Sequence, residues 1–584
     1  MALRKRQRVF WTIPPILVTA LIVAVLLWGS GRLLRPTAPP TVPATLLLPS
    51  PTATPPPPSA TPIPTLTPSP PSPSPTPTPR ETATPTPTPA QDLLRPDNTD
   101  RYVWSPGAVV HPLGLAVVSD TAYILDAGEV VALPLRPGEP AGRLFPPEGR
   151  IEGMPVGELV DLARSPDGRG LLLLDKRGDL YRYDPEASPW AVLRPIDQRR
   201  SAPNPAFVAV ASYGERLYLL DVSYSQVWRY PPGERGEGYF PGGDAPAGRL
   251  GRDYDVSRGV DLGVDGDVYV LLHEGRNAPA GLVRFHGTSP KRDPDFAAGL
   301  SWEKPVGLHL DPAGFLYVID RAGHRLRVLE RGSGRLLQTL EAEEEMRALD
   351  VADGRLYIAV PDALLLYPGT GQVYAVSGGE GPPPAGRPDY LPNWSALLSL
   401  TSPISNVRYL PERPSLLPGA PRVYRYGIHH GLDMYGGTMG VEIPYGAPVR
   451  AVADGVVVRA DIAYREMTPA EWDELAARCV SLHDTPPEIE DRFRGRQVWV
   501  DHGNGLSSHY VHLARIAEGI DVGSRVRRGQ VIGFAGNSGT EDGAAGNRSG
   551  VHLHLEIYLN GHYLGKWLTL WETRQLLQRL FALP

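Results

Sequence analysis

From about residue 98 to 378 the hydrophobic positions fall into short runs that recur at roughly 40 to 50 residues. The six copies are Tyr123-Ile124-Leu125-Asp126, Leu172-Leu173-Leu174-Asp175, Tyr218-Leu219-Leu220-Asp221, Tyr269-Val270-Leu271-Leu272, Tyr317-Val318-Ile319-Asp320 and Tyr357-Ile358-Ala359-Val360. Each follows a turn, such as Ser165-Pro166-Asp167-Gly168 or Asp311-Pro312-Ala313-Gly314, and precedes a second run such as Leu180-Tyr181-Arg182-Tyr183. Short runs bounded by turn residues read as strands. Four strands per repeat with an apolar inner strand predict six blades, because a blade must stack on its neighbours to cover both faces. No histidine or carboxylate set is evident at axis positions, so the region is expected to bind or space rather than to hold a second active site.

A different pattern begins after a connector expected over 379–421, rich in Pro, Leu and Ser. Around His429-His430-Gly431-Leu432-Asp433 and His552-Leu553-His554 the neighbours are Val, Ile, Leu and Tyr with little helical periodicity, which predicts strands. Side chains on a strand alternate faces. His429, Gly431 and Asp433 then share one face and His430 points away. His552 and His554 share another, backed by Val551, Leu553 and Leu555, which are free to enter a core. Tyr510-Val511-His512-Leu513 lies between the two segments.

Two stretches in this half read as helices. Between Asp461 and Arg496, Thr468 is placed as an N-cap, Pro469 as the first helical residue and Glu471 as the end of a capping box, with Trp472, Leu475 and Ala476 on one face. This insertion interrupts a hairpin and is expected beside the groove. From Leu570 to Phe581, Leu576, Leu577, Leu580 and Phe581 recur at helical spacing opposite polar residues, which predicts a docking helix within 569–584.

The first 97 residues carry no such patterns. Arg4, Lys5, Arg6 and Arg8 form a basic tail over 1–8, and 9–30 is an uncharged apolar stretch of roughly the 20 residues that span a bilayer as a helix. It is too long for the apolar core of a cleavable signal peptide, so an uncleaved anchor with the basic tail in the cytoplasm is expected, kinked in its first turn by Pro14 and Pro15. Residues 31–97 are dominated by Pro, Thr, Ser and Ala, cannot bury a core, and read as an extended disordered tether of on the order of 100 Å.

Composition narrows the classes. A chain of 584 residues is too long for one core. Its formal net charge of −6 and the absence of a basic stripe argue against nucleic acid. Cys479 is the only cysteine, which excludes an internal disulfide and a thiolate metal site. It reads as a small buried residue. The excess of Arg over Lys and the Pro richness point to a GC-rich, thermophilic bacterium.

The histidines carry the chemistry. Three protein ligands of nitrogen and oxygen type leave a fourth tetrahedral position on zinc open for water, and further imidazoles can move protons at neutral pH. A zinc hydrolase is the first reading. His430, His483, His509 and His562 read as ordinary surface or core histidines, and His502, in Asp501-His502-Gly503-Asn504-Gly505, as part of a turn between strands.

The pattern His-x-x-x-Asp, Tyr-x-His-Leu and His-x-His resembles the lysostaphin-like (LytM-type) zinc metalloendopeptidases. Ala447-Pro448-Val449, Ala451 through Val457, Val500 through Gly505, Val526 through Gly533 and His552 through Ile557 are similar to that family in the same order, so the domain is drawn at 422–568. The resemblance implies that His429, Asp433 and His554 hold one Zn2+ and that the catalytic histidines His512 and His552 flank its water, one as base and one orienting or stabilising the oxyanion. The insertion and the glycine-rich Gly536 to Gly550 depart from the compact family pattern. The repeat region resembles, less specifically, NHL-type propellers.

The expected fold is mostly β: a six-bladed propeller over 98–378, then a β-sheet zinc peptidase domain, behind a transmembrane helix and disordered linker. The expected function is a single-pass, membrane-anchored bacterial zinc metalloendopeptidase with its folded domains outside the cytoplasm, cutting stem or cross-bridge peptides of peptidoglycan. Two alternatives stand beside it: a catalytically silent envelope scaffold or activator, and a protease acting on a protein recruited by the propeller.

Overall fold

Six sheets, antiparallel except for one parallel pair in the last, follow one another along the first half of the chain in the computed structural model. It describes residues 94–376 and 400–583, apart from 105–107, 137, 145, 147–148, 188–189, 194–204, 232–236, 239–253 and 288–289. The expected basic tail, membrane helix and nearly all of the tether lie outside these residues, as does 379–399 of the connector. Among the described residues no helix is long and apolar enough to cross a membrane. Residues Pro85–Pro584 cluster as one compact unit.

Every repeat run is the second strand of its sheet. Thr121–Asp126, Leu171–Asp175, Arg216–Asp221, Val268–Leu272, Phe315–Asp320 and Arg355–Val360 each lie between two neighbours. They are buried almost throughout, which is why their sequence is apolar on both faces. The first strands touch in a closed order: Pro112–Val118 meets Leu159–Arg164, which meets Phe207–Tyr213, then Gly259–Val264, Gly307–Leu310 and Ala348–Ala352, which returns to Pro112–Val118. The expectation of four strands per repeat holds for four sheets. The fourth has three strands among the described residues, and the sixth has five because Asp100–Val103, from the start of the region, pairs with Ala363–Tyr367. The start and the end of the repeat array are thus joined in one sheet, with Asp100–Val103 paired on both sides.

The axis of this ring differs from the sequence reading. Asp161, Asp261 and Asp350 recur on the first strands of the second, fourth and sixth sheets. Their Oδ2 atoms accept the backbone N–H groups of Val210, Leu308 and Val117, each on the next sheet, at 2.7 Å. The signal was Val-Asp-Leu, Val-Asp-Leu and Leu-Asp-Val at the strand starts, outside the Tyr-Leu-Asp runs that define the repeat. These carboxylates clasp neighbouring sheets.

The C-terminal half is built on a mixed-length sheet. Five of its seven strands are β1 (Gly431–Tyr435), β2 (Gly455–Ala460), β3 (Val498–Gly503), β4 (Leu506–Val511) and β5 (His552–Leu559), in the order β1-β5-β4-β3-β2. Leu553, Leu555, Ile557 and Leu559 face one core with Leu432, Met434, Val457, Val498 and Val500. Each such side chain contributes about 2 kcal/mol on burial. Ile404, Leu410 and Leu417 from before residue 422 enter the same core, so the described end of the connector packs on the sheet.

The insertion does separate the paired strands β2 and β3. It holds two helices where one was expected. α1 (Pro469–Leu482) starts at Thr468 with Pro469 first and the capping box to Glu471. α2 (Pro487–Arg494) was missed because its N-cap is Pro486, with no side-chain cap, and it is only eight residues long. Cys479 is buried between them with Met467, Ile489 and Phe493. Another short helix, α3 (Glu541–Ala544), follows Thr540 as N-cap.

The last helix, α4 (Leu570–Leu580), docks as predicted. Leu576, Leu577 and Leu580 join the core under the sheet. Its first turn points the other way: Trp571 stacks on His273 at 3.7 Å between ring centroids, and Glu572 pairs with Arg347 and accepts from His111 at 3.2 Å. Lys176 of the second sheet donates to Gly565 O at 2.7 Å. The ring and the C-terminal sheet are therefore fastened by polar contacts as well as apolar ones.

Candidate metal centre

The register of β1 against β5 pairs Asp433 with His554 and Tyr435 with His552, so residues far apart in sequence arrive side by side. His429 precedes β1 and is drawn in by its own backbone, whose N–H donates to Ala420 O while its carbonyl accepts from Gly419 N. His429 Nε2 lies 2.9 Å from Asp433 Oδ1 and 3.0 Å from His554 Nδ1, and His554 Nδ1 lies 2.7 Å from Asp433 Oδ1. Among the described residues this is the one His/Cys/Asp/Glu group compact enough to hold a metal ion.

The outward-facing atom of each of these three side chains is already occupied. His429 Nδ1 donates to Leu417 O at 2.9 Å. Asp433 Oδ2 accepts from Arg422 Nη2 at 2.8 Å. His554 Nε2 donates to Glu556 Oε1 at 3.1 Å. Outer contacts of this kind fix the tautomer and aim the inner atom, and two imidazole nitrogens with one carboxylate oxygen are a donor set that suits Zn2+.

His512 and His552 stand beside this group, their rings 4.8 Å apart. His512 Nδ1 donates to Ser538 O and His552 Nδ1 to Gly550 O, each at 2.7 Å, leaving Nε2 as the nitrogen that can take a proton. His552 Nε2 lies 3.6 Å from Asp433 Oδ1, and its ring stacks on Tyr435. Burial, with His552 and His554 alongside, pulls His512 well below the ordinary imidazole pKa. Burial also lowers His552, against the pull of Asp433. Both are neutral near pH 7. His429 is likewise pushed down to about 3 by burial and by Arg422. His554 is pulled down by burial but raised on balance by its bonds to Asp433 and Glu556.

The other histidines lie elsewhere. His430 turns from the group to Glu490, 3.2 Å away, and stacks on Tyr563. His502 sits at the end of β3, bonded to Asp454 O and Ser508 Oγ. His509 is sandwiched between Trp499 and Tyr558, and His483 caps α1. His562 packs against Trp567.

Sequence reasoning missed Glu556, Arg422 and Arg494. Glu556 was within reach: the alternation that joins His552 to His554 continues to residue 556. Arg422 lies before the motif and Arg494 inside the insertion, where nothing local marks either.

Residues 480–565 match the model of Peptidase family M23. Among curated proteins, the chain is 27% identical over 147 residues to the DD-carboxypeptidase/endopeptidase Mpg of Neisseria meningitidis serogroup B, covering 24% of this chain and 22% of that one. It is 30% identical over 141 residues to the peptidoglycan DD-endopeptidase ShyA of Vibrio cholerae serotype O1, covering 24% and 23%. The chain thus spans less than a quarter of the length of either relative. Among solved structures it is similar to virginiamycin B lyase from Staphylococcus aureus, 10% identical with a TM-score of 0.32 over 46% of this chain and 98% of that one. It is also similar to the catalytic domain of the prophage-encoded M23 protein EnpA from Enterococcus faecalis, 20% identical with a TM-score of 0.16 over 24% and 76%. Residues 480–565 of the chain form a peptidase family M23 domain, with homology to LytM-type endopeptidases.

Proposed function

We propose that this chain is a zinc metalloendopeptidase that hydrolyses stem or cross-bridge peptides of peptidoglycan. It works outside the cytoplasm, tethered to the cell membrane by an N-terminal helix and the Pro-rich segment. The observation that carries the reading is the convergence of His429 Nε2, Asp433 Oδ1 and His554 Nδ1 with two carbonyl-oriented neutral imidazoles alongside. The murein substrate rests on similarity to peptidoglycan endopeptidases.

His429, Asp433 and His554 would hold the ion, which when bound supplies Lewis acidity toward a carbonyl and acidifies water. The protein's own part is orientation and proton movement. Ser538 O and Gly550 O hold His512 and His552 in the tautomer that presents Nε2. One takes the proton of the attacking water on its free Nε2, and the other can stabilise charge on the scissile carbonyl oxygen only as the imidazolium, with its Nε2 protonated. The cyclic contact of the six first strands supports a six-bladed, NHL-like propeller, whose fastening to the M23 domain suits a rigid spacer or binding platform.

The full chain, incubated with purified murein sacculi and separately with an unfolded protein, separates the readings. New amino termini in released muropeptides support wall hydrolysis. Cleavage of the protein alone favours a recruited-substrate protease, and no cleavage of either by zinc-loaded chain favours a silent scaffold.

A further inference from the structure

We propose that Arg494, supplied by the insertion, is a positioning residue for the metal centre. This rests on the reading of His429, Asp433 and His554 as metal ligands. α2 buries Ile489 and Phe493 against Met467, Cys479 and Ala544, which turns Glu490 and Arg494, one helical turn apart, toward His430 and β5. Arg494 Nε donates to Glu556 Oε1 at 2.8 Å and Arg494 Nη2 to Tyr558 Oη at 3.1 Å. Glu490 stands 3.6 Å behind it.

Glu556 is 1% exposed and accepts from His554 Nε2 and from His509 Nδ1, at 3.1 and 3.0 Å. A carboxylate this deep needs a partnered cation, and the guanidinium of Arg494 is the group that reaches it with an aligned donor. Arg494 thereby holds the oxygen that holds His554 with Nδ1 inward. Loss of such an outer contact typically costs about 10–100-fold in metal affinity.

The same residue reaches the second arm of the site. Its carbonyl accepts the backbone N–H of His512 at 3.1 Å, where His512 adopts a φ of 61° that side-chain-bearing residues rarely take. The helix ends at Gly495, where a Cβ would lie 2.3 Å from Ser538 O, the carbonyl that orients His512. Between its two helices the insertion is pinned to the ring, since Arg177 Nη1 donates to His483 O at 3.1 Å. The insertion is part of the scaffold of the site, not a flap laid over it.

The test loads full-length chain with Co2+ alone and reads its affinity and visible d–d spectrum, with Arg492→Gln on the same helix as control. Arg494→Gln should bind Co2+ about tenfold or more weakly with an altered spectrum, while Arg492→Gln matches the parent. Arg494→Lys, which keeps the charge but loses the Nε donor, should recover part of the affinity with the spectrum still displaced. It carries the test if the glutamine variant does not fold. Parent-like affinity and spectrum in a folded Arg494 variant overturn the positioning role. A parent chain that binds no Co2+ overturns the metal-centre reading itself, a separate result.

Discussion

Arg422 Nη2 donates to Asp433 Oδ2 at 2.8 Å, so that only Oδ1 of the carboxylate faces His429 and His554. Arg422 is itself fixed, its Nη1 donating to Ser415 O at 2.9 Å. The guanidinium keeps Asp433 to one oxygen at the centre. Arg422→Met is expected to weaken Zn2+ binding by about 10–100-fold with thermal stability of the ring unchanged, read by competition with a chromophoric chelator.

Gly431 lies in β1 between two ligands, on the face they share. A Cβ there would meet Leu555 O at 2.6 Å and His554 Nε2 at 2.8 Å. The first contact is with backbone and cannot yield cheaply; the second would displace a ligand. Gly431→Ala should lower metal affinity and activity together by at least about tenfold, while Gly519→Ala, at an open turn on the same domain, should leave metal binding intact.

The two classes of histidine separate by metal retention. His512→Ala is expected to keep the ion and lose about 10²–10⁴-fold in kcat, the usual loss of a proton-transferring group. His554→Ala should lose ion and turnover at once. Metal analysis beside a muropeptide-release assay distinguishes them, and an active, metal-free His554→Ala would contradict the ligand assignment.

Docking of α4 on the ring should weaken in acid. Burial, with Arg574 and Arg258 nearby, pushes His273 down to about 3, against the opposing hydrogen bond of its Nδ1 to Glu274 O. A group depressed in the folded state stabilises above its unfolded pKa, 6.5 here, and that contribution is lost as pH falls toward 3. Glu572 is also held well below its ordinary value: burial opposes this, and Arg347 and His111 outweigh it. Its contribution is present above about 4.5 and lost below. The unfolding free energy should fall by about 2 kcal/mol from His273 alone between about pH 6.5 and 5. His273→Phe, which retains a ring against Trp571, should flatten that slope in thermal melts.

The parts of this fold that follow a simple period were legible in the sequence. Runs such as Tyr317-Val318-Ile319-Asp320 marked all six second strands because burial on both faces leaves an unbroken apolar stretch. Thr468 and Glu471 marked α1 because a capping box is a local device. Parity separated His429 from His430 before any geometry was available. What parity could not give was register: Asp433 opposite His554 is set by pairing across more than a hundred residues. Arg422 and Arg494 were invisible for a related reason, since each acts through a contact with a residue distant in sequence. The axial Asp161, Asp261 and Asp350 escaped because they lie on the first strands, outside the runs that define the repeat, and accept backbone N–H groups of the next sheet.

Five side chains from separate stretches, three of them as ligands, are expected to meet around one metal ion. The most direct test is the zinc content of the full chain after equilibration with excess Zn2+ and removal of free ion. One Zn2+ per chain is expected in the parent, in His430→Ala and in His512→Ala, with none retained in His429→Ala, Asp433→Ala or His554→Ala. An unchanged zinc content across those last three variants would contradict it.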